Sequence, residues 1–464
     1  MADWDSFRRL FHPRRILWQS LSGFYCVGLD ELCPIWVVAC LDHGREYGWI
    51  EQRTGIGFCS VEKKTGSRAW PRESVMEDLV PSLREELTRI LHGQPHWVAV
   101  SPYVSQSLAD FAAQAGHPSA CHPPELCEWL SHKANFLAGM DGLGLPRPRG
   151  RWTRLSENRY AELSKEMGSR LVAQLPKGGG GSGTVFIRSE SDFSSAGARL
   201  GEAPVWVAPE LGELSLNINA VAMSCGAVAA YPSVQLVGLE MLHSSPGMYC
   251  GNDYSATAAA PAVTLGAVRE QTERIGQWLA SLGYRGLFGL DFVLDPSSSQ
   301  VYAVDLNPRW QGSTALLTQA QLLAGRLPLA AAELAYRLGV LSEAEVFGHR
   351  DRFFESVRGS QMCLRWDAPG WWEMTGDLQP GVYSLGPESA FVRPGIGLSD
   401  CHQPEEMLVT GAVPHPGTRI GTGAFLLRVY SQQPVLDMDR MAPLSWSQSA
   451  TEALYQRAAL RPVA

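Results

Sequence analysis

The chain has few lysines and no long apolar run. Only five of its 39 basic residues are lysines, and 47 acidic residues give a formal net charge of −8. Clustered Lys and Arg supply much of the affinity for nucleic acids, so this balance argues against a nucleic-acid partner. No stretch has the length and apolarity of a bilayer span, and residues 1–20 lack the apolar core of a signal peptide. We therefore expect a soluble, cytoplasmic protein without a membrane partner.

Cysteine is present without a pattern that would give it a structural role. The ten cysteines show neither the spacing of a zinc site nor the density of a secreted scaffold, and we expect reduced thiols. The tightest cluster is Cys121, His122 and Cys127. It lacks the second pair of ligands that four-coordinate zinc requires, so a metal site there is disfavoured.

Composition and periodicity predict a mixed α/β chain with several domains. Its 464 residues, 45% of them hydrophobic, are enough for separate cores. Apolar runs at residues 35–41 and 97–100 flank a helical pattern over residues 75–91. A Gly- and Pro-rich segment after a helical stretch indicates a linker. We expect domains at residues 1–125, 126–345 and 346–464, the last of them small and β-rich.

A glycine-rich loop lies between two segments of strand character. Residues 171–177 and 185–187 flank the sequence GlyGlyGlyGlySerGlyThr at residues 178–184. Consecutive glycines let backbone N–H groups approach phosphate oxygens without obstruction from side chains. The loop fits neither the P-loop nor the dinucleotide-binding pattern, so taken alone it also suits a mobile loop.

The sequence that contains three acidic or amide side chains predicts a β-hairpin. Two strand-like segments, residues 287–295 and 301–307, are joined by a short polar turn. Side chains alternate between faces along a strand, so Asp305 and Asn307 share one face. A five-residue turn over residues 296–300 would place Asp291 opposite Asp305.

Two opposed carboxylates destabilise a sheet unless a cation lies between them. Carboxylate and amide oxygens without Cys or His favour magnesium or manganese, bound together with substrate phosphates. The alternative is a hairpin whose acidic residues lie on a solvated face. The hairpin alone leaves both interpretations open.

Taken in order, the motifs resemble the ATP-grasp superfamily over roughly residues 125–345. They are SerHisLysAlaAsnPhe at residues 131–136, the glycine loop, the segment at residues 210–217 and AspLeuAsnProArg at residues 305–309. The resemblance implies an α/β (α+β) chain with the ATP-grasp fold, in which an N-terminal α/β domain precedes a lid subdomain at about residues 150–208. ATP would lie between two lobes of that fold.

The resemblance also implies roles for individual residues. It assigns ATP to Lys133, Gln174, Lys177, Gly180, Gly181, Ser182, Gly183, Thr184, Ala208 and Glu210. It assigns Mg²⁺ (or Mn²⁺) to Asp291, Asp305 and Asn307, and the substrate carboxylate or transferring phosphoryl group to Arg309 as the catalytic residue. Two positions depart from the family pattern: Asp305 replaces a glutamate, and Gln174 replaces a lysine. Lys177, three residues further on, is a candidate to supply the missing charge.

The function implied by the resemblance is that of an ATP-dependent carboxylate–amine ligase. It would join amino acids or small peptides through an acyl phosphate, release ADP and phosphate, and serve natural-product biosynthesis. The alternatives are a biotin-carboxylase-like or purine-type enzyme and a non-catalytic ATP-binding module. The expected partners are small carboxylates and amines, with a homodimer as the expected assembly.

Four polar residues outside these motifs have two interpretations. Gln235, Asn252 and Asp253 either border a substrate pocket or satisfy backbone groups in turns, and the turn interpretation is favoured. For Arg285, capping of a helix C-terminus is favoured over contact with a phosphate or carboxylate.

Overall fold

The structure is a computed structural model that describes residues 4–69, 75–243 and 245–463. The first part of the chain forms a parallel five-stranded sheet with flanking helices, with the strand order β3-β2-β1-β5-β6. Strands of such a sheet are buried on both faces, which explains the continuous apolar runs of β2 and β5. The predicted strands and the helix at residues 75–91 are confirmed. The elements are α1 Trp4–Arg9, β1 Arg15–Ser20, β2 Ile35–Cys40, α2 Tyr47–Thr54, β3 Gly57–Ser60, α3 Val61–Thr65, β4 Ser67–Arg68, α4 Val75–Leu91, β5 Trp97–Val100, α5 Gln106–Gln114 and β6 Ser119–Ala120.

Two helices connect this sheet to a small antiparallel sheet of order β7-β10-β8-β9. The helical stretch expected over residues 125–140 is interrupted, because His132 has an extended backbone and its Nδ1 accepts a hydrogen bond from the N–H of Ala134. The predicted strand, glycine loop and strand are confirmed as β8, the loop and β9. The elements are α6 Pro124–Leu130, α7 Lys133–Gly142, β7 Arg151–Thr153, α8 Tyr160–Met167, β8 Leu171–Gln174, β9 Thr184–Ile187, α9 Glu190–Leu200 and β10 Val205–Pro209.

A large antiparallel sheet begins with the next strand and carries the hairpin. Residues 232–260, a stretch rich in Ser and Pro, contain two largely buried strands and a short helix. Helix α11 packs on the sheet with Val268, Ile275 and Leu279 buried, while Leu282 lies beyond the end of the helix and is exposed. The elements are β11 Ser215–Met223, β12 Gly226–Ala229, β13 Ser233–Val237, β14 Tyr249–Asp253, α10 Tyr254–Thr257, α11 Ala262–Ser281, β15 Gly286–Asp295, β16 Gln300–Asn307, α12 Thr314–Leu323, α13 Leu329–Arg337, α14 Glu343–Gly348 and α15 Arg350–Phe353.

The remaining strands extend the same sheet. Its order is β16-β15-β11-β13-β14-β17-β23-β21-β19-β20, with β12 paired to β11, so hydrogen bonding between strands continues across residue 345. A second sheet of order β26-β18-β22-β4 brings residues 460–462 together with residues 67–68 of the first part of the chain. The elements are β17 Ser360–Trp366, β18 Trp371–Met374, β19 Gly381–Ser384, β20 Phe391–Arg393, β21 Glu406–Thr410, β22 Arg419–Gly421, β23 Ala424–Ser431, β24 Leu436–Asp437, β25 Ala442–Pro443, α16 Ser445–Ala458 and β26 Leu460–Pro462.

The hairpin β15–β16 has the expected pairing of Asp291 with Asp305, but its turn length and register differ from the prediction. The turn has four residues rather than five, because Asp295 already pairs with Gln300. A bulge then shifts the register by one residue, since Phe292 pairs with Ala303 while Asp291 pairs with Asp305. The bulge restores the opposition of the two carboxylates that the shorter turn would have removed.

Among the helices of the described ranges, none combines the length and apolar character needed to span a bilayer. All ten cysteines are free thiols, most of them buried. His122 stacks on Tyr284 with ring centroids 5.2 Å apart, and within the part of the chain that the structure describes no cluster of three or more His, Cys, Asp or Glu forms a metal site.

Candidate functional site

The carboxylate pair lies on the face of the hairpin that is shared with neighbouring strands of the large sheet. Asp291 is partly buried, and its Oδ1 accepts hydrogen bonds from Nδ2 of Asn217 at 2.6 Å and Nε2 of Gln235 at 3.2 Å. Burial, and next the charge of Asp305, raise the pKa of Asp291 more than these two amides lower it. Asp305 is 40% exposed. The pair therefore presents negative charge that its protein surroundings only partly offset.

Lys133 places a positive charge against this pair. It is the first residue of α7, its side chain is 6% exposed, and its Nζ lies 2.8 Å from the carbonyl oxygen of Val304 and 3.2 Å from Oδ1 of Asp305. A buried ammonium is stable when it is paired and hydrogen-bonded, as it is here. The side chain is thereby fixed at the rim of the carboxylate pair.

One cavity brings together five of the residues expected at the site and Gly178 of the glycine loop. Its lining includes the side chains of the basic and polar residues Lys133, Lys177, Asp305, Asn307 and Arg309, together with Gly178. The guanidinium of Arg309 donates to the carbonyl oxygen of Trp310 and lies 5.7 Å from the ring centroid of Tyr103. The cavity therefore has acidic and basic groups at its walls, which suits a ligand that carries both metal and phosphate charge.

The glycine loop contacts the large sheet. The carbonyl oxygen of Gly180 accepts a hydrogen bond from the N–H of Tyr249 at 3.0 Å. Gly181 has a positive φ of 87°, and a Cβ there would collide with the carbonyl oxygen of Gly247. Glycine is thus required at this position both for the backbone conformation and for the close approach of the two loops.

The residues in and next to the glycine loop make different contacts. Nε2 of Gln174 donates to Oγ1 of Thr184 at 3.3 Å, which ties β8 to β9. Ser182 is exposed and Gly183 is buried within the loop. The ammonium of Lys177 forms an ion pair with Glu128. Gln174 and the loop residues Gly180 to Thr184 do not line the cavity that contains Lys133 and Asp305.

Ala208 and Glu210, two of the residues expected to contact ATP, lie in β10 and directly after it. Ala208 is buried and pairs with Val172, while Glu210 forms ion pairs with Arg170 at 2.7 Å and Arg188 at 2.6 Å. Burial raises the pKa of Glu210, but hydrogen bonds from the two guanidiniums outweigh it and lower the pKa overall. The carboxylate of Glu210 is therefore ionised and held by the guanidiniums of Arg170 and Arg188.

The structure gives different outcomes for the four polar residues that had two interpretations. Gln235 and Asn252 lie within strands, so the turn interpretation is wrong for both, and Gln235 contacts Asp291 directly. Asp253 satisfies backbone N–H groups as expected, because it caps α10 through Ala256 and accepts from Val435. Arg285 donates to the carbonyl oxygens of Ala280 and Tyr284 and so caps a helix end.

Asn217 belongs to the site but was not singled out from the sequence. Its Nδ2 donates to Asp291, and its Oδ1 accepts from the hydroxyl of Ser313 at 2.6 Å. The available signal was an amide side chain between Leu216 and Ile218 in an otherwise apolar strand, where a buried polar group needs a partner.

The donor set of the pair fits a hard divalent cation. Two carboxylates and the amide of Asn307 offer oxygen ligands, and burial together with the charge of Asp305 raises the pKa of Asp291. Two carboxylates with one amide leave half of the positions of an octahedral ion for phosphate oxygens and water, and Mg²⁺ is usually bound with such ligands.

No family model matches the chain, but three curated proteins are similar to about half of it. Carbamoyl phosphate synthase large chain from Deinococcus radiodurans is 26% identical over 248 residues, 50% of this chain and 23% of that protein. Biotin carboxylase from Allochromatium vinosum is 25% identical over 54% of this chain and 58% of its own length. The butirosin acyl-carrier protein–L-glutamate ligase of Niallia circulans is 23% identical over 46% of this chain and 51% of its own. The alignments thus span between 23% and 58% of these relatives.

Two solved structures resemble nearly the whole chain. Biotin carboxylase from Campylobacter jejuni superposes with a TM-score of 0.58 at 12% identity, over 92% of this chain and 89% of that one. L-amino acid ligase from Bacillus licheniformis gives 0.57 at 11% identity, over 96% and 98%. The relatives and neighbours are ATP-grasp ligases. The chain has the ATP-grasp fold, and the resemblance to this superfamily is confirmed.

Proposed function

We propose that the chain is an ATP- and Mg²⁺-dependent ligase that forms an amide or peptide bond between amino acids or small peptides. The observation that carries the proposal is the opposition of Asp291 and Asp305, with the ammonium of Lys133 3.2 Å from Asp305, in a chain with the ATP-grasp fold. Acidic oxygens next to a fixed ammonium suit a metal–nucleotide complex, which carries charge of both signs.

Under this proposal, Asp291, Asp305 and Asn307 would hold Mg²⁺, which would neutralise part of the negative charge of the phosphates. Lys133 adds a fixed positive charge at the same place. The backbone N–H groups of the glycine loop would approach the phosphates after the loop adjusts. Gln174, Lys177, Ala208 and Glu210 would border the rest of the nucleotide.

The proposed reaction has two steps. A carboxylate oxygen of the first substrate attacks the γ-phosphorus, the bond to the β–γ bridging oxygen breaks, and ADP leaves. Arg309 stabilises the charge on the transferring oxygens. The amine nitrogen of the second substrate then attacks the acyl carbon, loses a proton, and displaces phosphate. Holding the two substrates together supplies much of the rate of the second step.

Two of the similar proteins support amino acids as substrates. One is named as an L-glutamate ligase acting with an acyl-carrier protein, and the other as an L-amino acid ligase. The second aligns with 98% of its own length, so its whole architecture has a counterpart here. Gln174, in place of the usual lysine, is compatible with this reading because Lys133 already supplies one ammonium to the site.

Phosphate release tests the proposal directly. The full chain would be incubated with ATP, Mg²⁺ and pooled L-amino acids, and products would be identified by mass spectrometry. We expect a product equal to two substrates minus water, absent for Asp305→Ala. Asp295→Ala, at the end of β15 next to the turn of the same hairpin, is the matched control and should retain the reaction. Turnover in Asp305→Ala equal to that of the unaltered chain would contradict the proposal.

The alternative enzyme class is favoured by the similarity to biotin carboxylase. Phosphate release that depends on bicarbonate, and not on any amino-acid pair, would select it. Nucleotide binding without turnover in any pool would select a non-catalytic ATP-binding module. The homodimer, the cytoplasmic location, a place in natural-product biosynthesis and the domain boundaries at residues 125 and 345 remain predictions.

A further inference from the structure

The segment that follows the hairpin contacts the parallel five-stranded sheet, which we call the N-terminal sheet. Arg309, the residue expected to stabilise the transferring phosphoryl group, comes two positions after Asn307, and its N–H donates to the carbonyl oxygen of Asn307 at 2.8 Å. The next residue, Trp310, donates its backbone N–H to the carbonyl oxygen of Pro102 at 3.1 Å. Pro102 lies two residues after β5. The end of a strand of the N-terminal sheet is therefore bonded to the chain directly beside the candidate metal ligands.

A pair of buried tryptophans stabilises this junction. The side chain of Trp310 is 2% exposed, and its ring meets the ring of Trp18 on β1 edge to face, with centroids 5.1 Å apart. Such a pair of aromatic rings adds stabilisation beyond that of the area it buries. The backbone next to Arg309 is thus fixed on the N-terminal sheet as well as on its own strand.

Tyr103 brings an aromatic ring to the same place. Its backbone N–H donates to Oγ of the buried Ser101 at 3.1 Å, and its side chain packs with Tyr25 and Met76 in a small apolar cluster. Burial raises the pKa of the Tyr103 hydroxyl well above its usual value. The ring is therefore fixed in position and uncharged at neutral pH.

The guanidinium of Arg309 lies over the ring of Tyr103, with Cζ 5.7 Å from the ring centroid. At a separation below about 6 Å, the negative face of an aromatic ring attracts a guanidinium. NH1 of Arg309 also donates to the carbonyl oxygen of Trp310 at 2.9 Å. Among the residues that the structure describes, no carboxylate forms an ion pair with Arg309. Neutral groups therefore orient this side chain.

A neutral ring is a suitable partner for a guanidinium that must bind an anion. The buried Arg68 shows the alternative, because its Nε and NH2 donate to the two carboxylate oxygens of Glu62 at 2.7 and 3.0 Å. A substrate anion would have to displace such a carboxylate. An aromatic face attracts the cation without using the N–H groups at its edge, so Arg309 keeps its charge and its donors for substrate oxygens.

Tyr103 is one contact removed from the candidate reaction site. Arg309 lines the cavity that also contains Lys133, Asp305 and Asn307. Tyr103 contacts Arg309 but is not part of the lining of that cavity. Any influence of Tyr103 on a substrate in the cavity therefore passes through Arg309.

We propose that Tyr103 is a positioning residue, whose ring holds the guanidinium of Arg309 where charge develops on the transferring phosphoryl group. This inference rests on the proposed function for the role of Arg309. It assigns part of the reaction site to the N-terminal sheet, outside the region that carries the candidate metal and nucleotide residues. A displaced guanidinium should slow transfer more than it weakens ATP binding, because the charge that Arg309 stabilises is greatest in the transition state.

Steady-state kinetics of ATP-dependent phosphate release tests the inference. Tyr103→Leu removes the ring and is expected to lower kcat about tenfold, with the KM for ATP changed by less than about twofold. Tyr103→Phe keeps the ring and should stay within about twofold of the unaltered kcat. The control is Tyr336→Leu, a half-buried position on α13 where the hydroxyl donates to Glu343, and it should leave both constants unchanged.

A double-variant cycle separates positioning from a general structural effect. If Tyr103 acts through Arg309, Tyr103→Leu should lower kcat no further in a chain that already carries Arg309→Met. Equal fractional losses in both backgrounds would overturn the inference. Equal kcat values for Tyr103→Leu and the unaltered chain, or a loss in Tyr103→Phe as large as that in Tyr103→Leu, would also overturn it. Tyr103→Met, which suits a cluster that already contains Met76, replaces the leucine variant if that variant does not fold.

An NMR measurement tests the contact without turnover. In the full chain with isotopically labelled arginine, the Nε–H signal of Arg309 would be assigned by its loss in Arg309→Met. An aromatic ring shields protons above its face, so we expect this signal to move in Tyr103→Leu and to stay in place in Tyr103→Phe. An unchanged signal in Tyr103→Leu would overturn the inference. Absence of ligase activity with the expected movement of the signal would refute the proposed reaction and leave the positioning contact standing.

Discussion

Two charged regions of the large sheet, the carboxylate pair of the hairpin and Arg428 on β23, differ in the sign of their charge and in exposure. In the hairpin, Asp291 and Asp305 form a negative, partly exposed pair that Lys133 offsets in part. Arg428 on β23 is positive and buried, and its NH2 donates to the hydroxyl of Tyr25. The partly exposed carboxylates can be reached by a cation from solvent, whereas the buried guanidinium is held by hydrogen bonds within the protein.

Removal of a carboxylate from the pair should have the largest effect. Asp305→Ala is expected to lower ATP-dependent phosphate release by at least about a thousandfold. The variant would lose a ligand of the metal that stabilises negative charge on the transferring phosphate. Steady-state kinetics measures the effect, and Asp295→Ala of the same hairpin should stay near the unaltered rate. A change of less than tenfold in Asp305→Ala would remove the carboxylate pair from the mechanism.

Two buried arginines with different partners should differ in their effect on stability. Arg68→Met leaves Glu62 buried without its partner and is expected to lower the free energy of unfolding by about 3–5 kcal/mol. Arg428→Met leaves no charge behind and should change it by about 1 kcal/mol or less. Chemical denaturation of both variants measures this. Equal losses would mean that Arg428 is held by the protein as firmly as Arg68.

Lys133 links the carboxylate pair to the nucleotide. Lys133→Met is expected to reduce kcat/KM for ATP by about a hundredfold, since one fixed positive charge near the phosphates is lost. Lys165→Met, an exposed position on α8, is the control of the same residue type. If both variants keep the unaltered kcat/KM, the ammonium of Lys133 serves only to hold α7 against the hairpin.

The smallest expected effect concerns the pH dependence of stability without metal. Burial and the charge of Asp305 raise the pKa of Asp291 to about 6, above the roughly 3.9 of an unfolded chain. The native state therefore binds the proton more tightly, and its stability should fall as the pH rises from about 4 to about 6. Asp291→Asn should remove that slope, worth on the order of 1–2 °C in the unfolding midpoint. Thermal unfolding across this range, with Asp295→Asn as control, measures it, and an unchanged slope in Asp291→Asn would contradict the assignment.

Local patterns predicted the carboxylate pair but not the buried arginines of the later strands. Alternation along two adjacent strands and a short turn are local features, so the opposition of Asp291 and Asp305 followed from the sequence. The turn length was wrong by one residue because a bulge is not visible in an alternating pattern. The pairing survived because the bulge compensates for the shorter turn.

Arg365 and Arg428 could not be recognised in this way. They lie on β17 and β23, more than fifty residues after the hairpin, and reach its face only because strand pairing continues through β14. Two of the strands that make this connection, β13 and β14, lie in a stretch rich in Ser and Pro. Strands buried on both faces show no alternation, so tertiary packing rather than local pattern determines them.

The most direct test of the central claim is nucleotide affinity with and without metal. Calorimetric titration of a non-hydrolysable ATP analogue would compare the unaltered chain with the Asp291→Asn, Asp305→Asn double variant, in Mg²⁺ and in EDTA. The carboxylate pair as a metal–nucleotide site predicts an affinity in Mg²⁺ that the double variant and EDTA each reduce strongly and to a similar level. Equal affinities in all four conditions would show that the opposed carboxylates do not bind the metal–nucleotide complex.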